Sequence, residues 1–132
     1  MTAKEYLQQA YKMDRRIRII EAKAEKLRAA LEYSPPSLSG SGGGSSADRM
    51  PDMISLIVEY EQRAVQLLAE YIEKYNEIDK AIRSIQHPAQ REVLERRYLL
   101  YQKWQQIADE MHYSVQNVYI LHGKALQKIS LN

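Results

Sequence analysis

Apolar or small residues recur in the first quarter of the chain at Tyr6, Ala10, Met13, Ile17, Ile20, Ala24, Leu27 and Leu31, with spacings alternating four and three without a break. That alternation holds one face of a helix apolar along its whole length, the signature of a heptad seam. It returns through Met50, Ile54, Ile57, Ala64, Leu68, Tyr71, Tyr75, Ile78, Ile82 and Ile85, interrupted only by Glu61. Between the two runs lies 34–47, SPPSLSGSGGGSSA, whose two prolines, four glycines and six serines cannot continue a helix and read as a flexible linker. Residues 1–86 are therefore expected to form a long antiparallel helical hairpin. Asp48 is expected to cap the second helix, with Pro51 and Asp52 in its first turn. Folding the helices back on each other places Glu61 near Lys23 or Arg28.

A change of rhythm follows. His87 and Pro88 end the second long helix and open a new one, because proline is comfortable at a first helical position and biases its predecessor away from helix. Val93, Leu94, Tyr98 and Leu99 then share one face, and Trp104, Ile107, Ala108 and Met111 share another. His112-Tyr113-Ser114 interrupts the pattern, and Ser114 is a good N-cap for a last helix with Val118, Leu121, Ala125, Leu126 and Ile129 on its apolar side. A short helix, a three-residue break and a capped helix make a helix-turn-helix pattern over 87–132, with its second helix at about 114–131. The fold class expected is all-α. Tyr11, Ile19, Val58, Val65, Leu67 and Ile72 are apolar residues off the seams. This surplus calls either for a second hairpin or for docking of the third segment, and a homodimer is the reading adopted.

Charge refines this picture. Residues 1–33 carry +3 (8 basic, 5 acidic), 48–86 carry −3 (5 basic, 8 acidic) and 87–132 carry +2 (6 basic, 4 acidic), so the two long helices attract. The overall +2 is too small to argue for nucleic acid. No run approaches 18 consecutive apolar residues, and MTAKEYLQQAYKMDRR contains no apolar signal-peptide core, so neither membrane spanning nor secretion is expected. The chain has no cysteine, which removes disulfides, thiolate zinc sites and cysteine nucleophiles and favours a reducing cytoplasm. His87, His112 and His122 lack metal-ligand spacing and read as boundary, turn and exposed-helix residues. GSGGGSS neither follows a strand nor carries a P-loop lysine. No Ser/His/Asp arrangement stands out, so neither enzyme activity, nor a cofactor, nor a small-molecule substrate is expected.

The string VLERRYLLYQKWQQIADEMHYSVQNVYILHGKALQKI resembles the helix-turn-helix of bacterial sigma factor region 4. Val93, Leu94, Arg97, Tyr98, Ile107, Ala108, Met111, Ser114, Val118, Leu121, Ala125 and Leu126 match its pattern in order. With the opening MTAKEYLQQAYKMDRRI and the Gly/Ser-rich interruption, nearly the whole chain resembles small phage-encoded proteins of Gram-positive hosts, relatives of RinA and ArpU type late transcriptional regulators. Two departures stand out. His112 occupies the turn position where the family usually has glycine, and Val115, Gln116 and Asn117 replace an arginine-rich helix start.

The resemblance implies a non-enzymatic transcriptional regulator in the bacterial host cytoplasm that binds duplex DNA. The residues expected to touch it are Ser114, Val115, Gln116, Asn117, Tyr119, Ile120 and Lys124, with Lys103 and Arg91 on the preceding elements. Gln and Asn can pair with adenine in the major groove, Val and Ile can meet a thymine methyl, and Lys and Arg position the module on phosphates; Arg96 and Lys128 are further candidates for that last role. Arg97 is expected in a local ion pair, and Tyr98 and Trp104 in the core. The alternatives are a protein-interaction module that contacts RNA polymerase or another factor, and a phage DNA-packaging accessory.

Overall fold

The computed structural model describes residues 1–33 and 46–131 and is helical throughout, with no strand among the described residues. Helix α1 spans Ala3–Glu32 and α2 spans Ser46–Arg83. Helix α3, Pro88–Leu94, runs directly into a π-helical turn, Glu95–Leu99, followed by α4, Trp104–Met111, and α5, Val115–Leu126. Most of the expected linker, 34–45, lies outside the described residues.

Local chemistry explains the ends of these helices. Thr2 and Glu5 form a reciprocal capping box at the start of α1: the Glu5 N–H donates to Thr2 Oγ1 at 3.1 Å and the Thr2 N–H donates to a Glu5 carboxylate oxygen at 3.2 Å. Helix α2 starts two residues before Asp48 and contains Pro51 in its interior, a correction to the expected start. Proline's fixed φ is compatible with a helix, and as the sixth residue of α2 Pro51 costs a backbone hydrogen bond and crowds the preceding turn without marking where the helix begins. His87 caps α3 by accepting the Gln90 N–H on Nδ1 at 3.2 Å. The π-helical turn answers to a spacing of five between Val93 and Tyr98 and between Leu94 and Leu99, all four of which are buried. An α-helix would rotate the second pair off that face; the wider turn, closed by the Leu100 N–H on the Glu95 carbonyl at 3.0 Å, keeps both pairs inside.

The chain packs as two units. One comprises Met1–Asp14 with Glu70–Asn132. Its larger core joins Leu7 and Ala10 of α1, Ile78 and Ile82 of α2, and Ile85 to Leu94, Tyr98, Leu99, Ala125 and Ile129. A second cluster, Val93, Ile107, Ala108 and Val118, is flanked by Trp104, Met111, Val115 and Leu121 and holds α3, α4 and α5 together. Leu7 is fully buried although it is off the expected seam, because the C-terminal helices widen the apolar stripe that α1 can cover here. The third segment thus docks on the beginning of α1 and the end of α2.

The described residues of the other unit, Arg15–Ala69, form two helical segments, the later part of α1 and the earlier part of α2. Ile17, Ile20, Ala24, Ile57 and Ala64 are buried, Arg28 pairs with Glu61, and the Lys23 ammonium lies 5.7 Å from the centre of the Tyr60 ring. The seam residues Met50, Ile54 and Leu68, expected to be covered, are exposed in the single chain together with Ile19, Val58 and Val65. Two helices bury one stripe each, so among the described residues the rest of this apolar face stays open.

Candidate nucleic-acid interface

The region that presents polar side chains on a rigid frame is α4, its turn and α5. Tyr101, at φ 59°, adopts the left-handed conformation that redirects the chain from the π-helical turn into α4. Its hydroxyl is 2.7 Å from that of Tyr71, and its ring meets Tyr11 at 5.3 Å, which ties the approach to α4 to both long helices. Helix α4 ends in a Schellman arrangement, with the Tyr113 N–H on the Ala108 carbonyl at 3.0 Å and the His112 N–H on the Asp109 carbonyl at 3.3 Å. His112 is left-handed at φ 59°, ψ 39°, the conformation for which glycine is usual. Ser114 then caps α5, its hydroxyl oxygen accepting the Asn117 N–H at 3.1 Å. Helix α5 ends at Leu126, short of the expected 131. Past it the Lys128 and Ile129 N–H groups fold back on the Ala125 and Leu126 carbonyls at 3.0 and 3.2 Å, and this tighter turn puts Ile129 into the core.

Residues expected at the interface fall into two groups. Gln116, Ile120 and Lys124 stand four apart on one exposed face of α5, with Tyr119 beside them. Ile120 keeps 56% of its surface exposed. Lys103 is exposed immediately before α4. The others are engaged in the fold: Ser114 in its cap, Val115 against the second core cluster, and Asn117 half-buried in the first turn. Arg91 donates from Nη1 to the Ile85 carbonyl at 3.1 Å. Arg96 spans Glu92, at 2.8 Å, and Glu110 of α4, so its single positive charge is shared between two carboxylates. Asp109 accepts from Gln105 at 2.9 Å.

Two features went unread in the sequence. Arg97 was expected in an ion pair; its partners are instead the Trp104 ring, 4.4 Å from the guanidinium carbon, and the Gln102 carbonyl at 3.0 Å. His122 was expected on the exposed side of the helix and is half-buried. Its Nε2 lies 2.7 Å from the Tyr98 hydroxyl, its ring stacks on Tyr98 at 5.7 Å, and Trp104 meets it edge-on at 4.7 Å. Burial, aided by the positive charges of Lys4 and Arg97, pushes the imidazole down to about 4. Burial likewise pushes the Tyr98 phenol up to about 12, so both partners are neutral at pH 7. Trp104 also meets Tyr119 edge-on at 5.2 Å. This aromatic cluster fixes the rotation of α5 about its axis, and with it which residues face outward. The available signal was positional: His122 lies on the same helical side as Val118 and Ala125. No group of three or more His, Asp or Glu side chains converges on a metal position among the described residues, and no helix among them is long and apolar enough to cross a membrane. Compared with family models, curated proteins and solved structures, the chain finds no match.

Proposed function

We propose that this chain is a non-enzymatic transcriptional regulator of phage type that binds duplex DNA in the bacterial cytoplasm. In this reading α4 and α5 act as a sigma region 4-like helix-turn-helix with α5 in the major groove, and α1 and α2 form a hairpin through which two copies pair. The observation that carries the reading is the division of labour on α5: its inner side is locked by Val118, His122 and Ala125, while Gln116, Ile120 and Lys124 form an outer face that contributes nothing to the core. A glutamine can make paired hydrogen bonds to adenine, isoleucine can pack on a thymine methyl, and Lys124 and Lys103 can neutralise flanking phosphates. A dimer would present two such faces to half-sites about 34–36 Å apart.

The test is binding of the purified chain to fragments of the genome that encodes it, at two salt concentrations and beside random competitor. Site-selective, salt-sensitive binding is expected. Gln116→Ala should relax base preference by about 1–3 kcal/mol at a single position. Lys124→Ala should weaken binding to all sequences and reduce the slope of log K against log salt by about one. Binding without sequence preference, unchanged in both variants, refutes the assignment. The second reading, a surface for RNA polymerase or another protein, is favoured by the exposure of Ile120 and Tyr119 beside a single cation on α5. A stable complex with polymerase and no affinity for duplex would select it.

A further inference from the structure

A second apolar line runs along α2, offset from the first. Ile54, Val58, Glu61, Val65, Leu68 and Ile72 alternate in spacings of four and three; the line shares Ile54, Glu61 and Leu68 with the first seam but takes Val58, Val65 and Ile72 in place of Ile57, Ala64 and Tyr71. At about 100° per residue the two lines lie ~60° apart around the helix. Ile57 and Ala64 are buried, whereas every member of the second line is exposed among the described residues, Val65 by 67% and Ile72 by 59%. Its five apolar members and Met50 expose on the order of 500 Å², the upper end for a contiguous apolar patch on a single folded chain. Charge is kept off this face. Glu61 pairs with Arg28 of the same chain, the flanking positions hold Ser55, Gln62 and Ala69, and Asp52, Glu59, Arg63 and Glu70 fall on the far side of the helix.

We propose that this line is the seam along which a second copy of the chain packs, α2 against α2 and antiparallel. The proposal rests on the pairing of two copies in the reading above and gives that pairing a face and a direction. Two-fold pairing sets a surface against itself, so every charge on it meets its own kind; a face whose one charged residue is already paired within the chain suits that arrangement and gives a charged partner nothing to recognise. Glu61 also fixes the direction. A parallel pair would set it against Glu61 of the other copy, whereas an antiparallel pair centred at the level of Arg63 sets it against Val65, with Val58 against Leu68 and Ile54 against Ile72. Two such faces bury about 1,000 Å² together, the area at which specific interfaces begin. The segment SPPSLSGSGGGSSA has Leu38 as its single large apolar side chain and is too poor in them to cover six.

Sedimentation of the full chain from low to high micromolar concentration tests the pairing, and a dimer is expected. Val65→Asp should weaken it by about 100-fold or more, because it places a carboxylate opposite Glu61 in a seam closed to water. Gln66→Asp introduces the same charge away from the seam and should change the affinity by no more than about two-fold. Val65 is largely exposed in the single chain, so dilute Val65→Asp should melt with dilute wild type. The chain has no cysteine, which makes the direction readable by oxidation: Ile54→Cys mixed with Ile72→Cys should give a disulfide-linked mixed dimer, and neither variant should link to itself. Self-linked dimers of each variant overturn the antiparallel arrangement. A dimer undiminished by Val65→Asp overturns the face while leaving pairing through another surface intact. A wild-type chain that stays monomeric refutes the pairing reading itself, and a lower melting temperature for Val65→Asp in that case would place the cover of this face within the same chain.

Discussion

Protonation of His122 offers a direct test of the aromatic cluster that orients α5. The folded state holds the imidazole at about 4, with burial as the largest cause, whereas the unfolded chain restores it to its ordinary 6.5. Above pH 6.5 both states are neutral at this site and it contributes no pH dependence. As pH falls from 6.5 towards 4, the unfolded state takes up a proton that the folded state refuses, so stability falls across that window and levels off below it. At 1.36 kcal/mol per unit the full shift corresponds to ~3.4 kcal/mol. His122 is only half enclosed, and solvent screening reduces this by about half, leaving ~1–2 kcal/mol by pH 4.5. His122→Phe keeps an aromatic ring against Tyr98 and Trp104 but removes the titration, at the cost of leaving the Tyr98 hydroxyl without its partner. Urea unfolding at pH 7.5 and pH 4.5, followed by far-UV circular dichroism and by the fluorescence of the single tryptophan, yields the stability of each form. Carboxylate titration is common to both proteins and cancels in the difference. The variant should therefore lose ~1–2 kcal/mol less than the wild type between the two pH values. Equal losses, or an imidazole that titrates near 6.5 by NMR in the folded protein, would refute the burial argument.

Two further outcomes check the packing and the turn. Leu7→Ala should cost about 2–5 kcal/mol because it opens a cavity in the larger core, whereas Leu68→Ala, at a position 46% exposed, should cost well under 1 kcal/mol at submicromolar protein. Equal costs in thermal melts would contradict the division between the two packing units, and a cost at Leu68 that grows with protein concentration would reveal a second copy on that face. His112→Gly should stabilise the chain by about 0.5–1 kcal/mol by relieving the left-handed strain, and His112→Val should destabilise it. Melting temperatures that fall with glycine would show that the His112 side chain contributes more than its backbone costs.

The helical class, the two long helices, the break at 112–114 and the Ser114 cap were all legible in the residues, because each depends on interactions within a few positions of the chain. Heptad spacing records which side of a helix seeks cover, and a serine before an apolar run records where the next helix begins. The capping box of Thr2 and Glu5 is equally local, set by a spacing of three residues. Periodicity does not record how much cover is available, and that decided Leu7, which gained a partner from the C-terminal helices, and Met50, Ile54 and Leu68, which stay exposed among the described residues. The same holds for the candidate interface. Gln116, Ile120 and Lys124 were visible as residues of one helix, but that Val115 and Asn117 are half-buried beside them, and that Arg91 of α3 is taken up by the Ile85 carbonyl, came from the folded structure. The apolar spacing of Val118, Leu121 and Ala125 marks the inner side of α5, and contacts from other elements, the Tyr98 hydroxyl on His122 and the Trp104 edge, hold it there. Local sequence chooses the helices and their ends because those energies are local; the burial of each face is decided by partners distant in the chain, and only the folded structure brings them together.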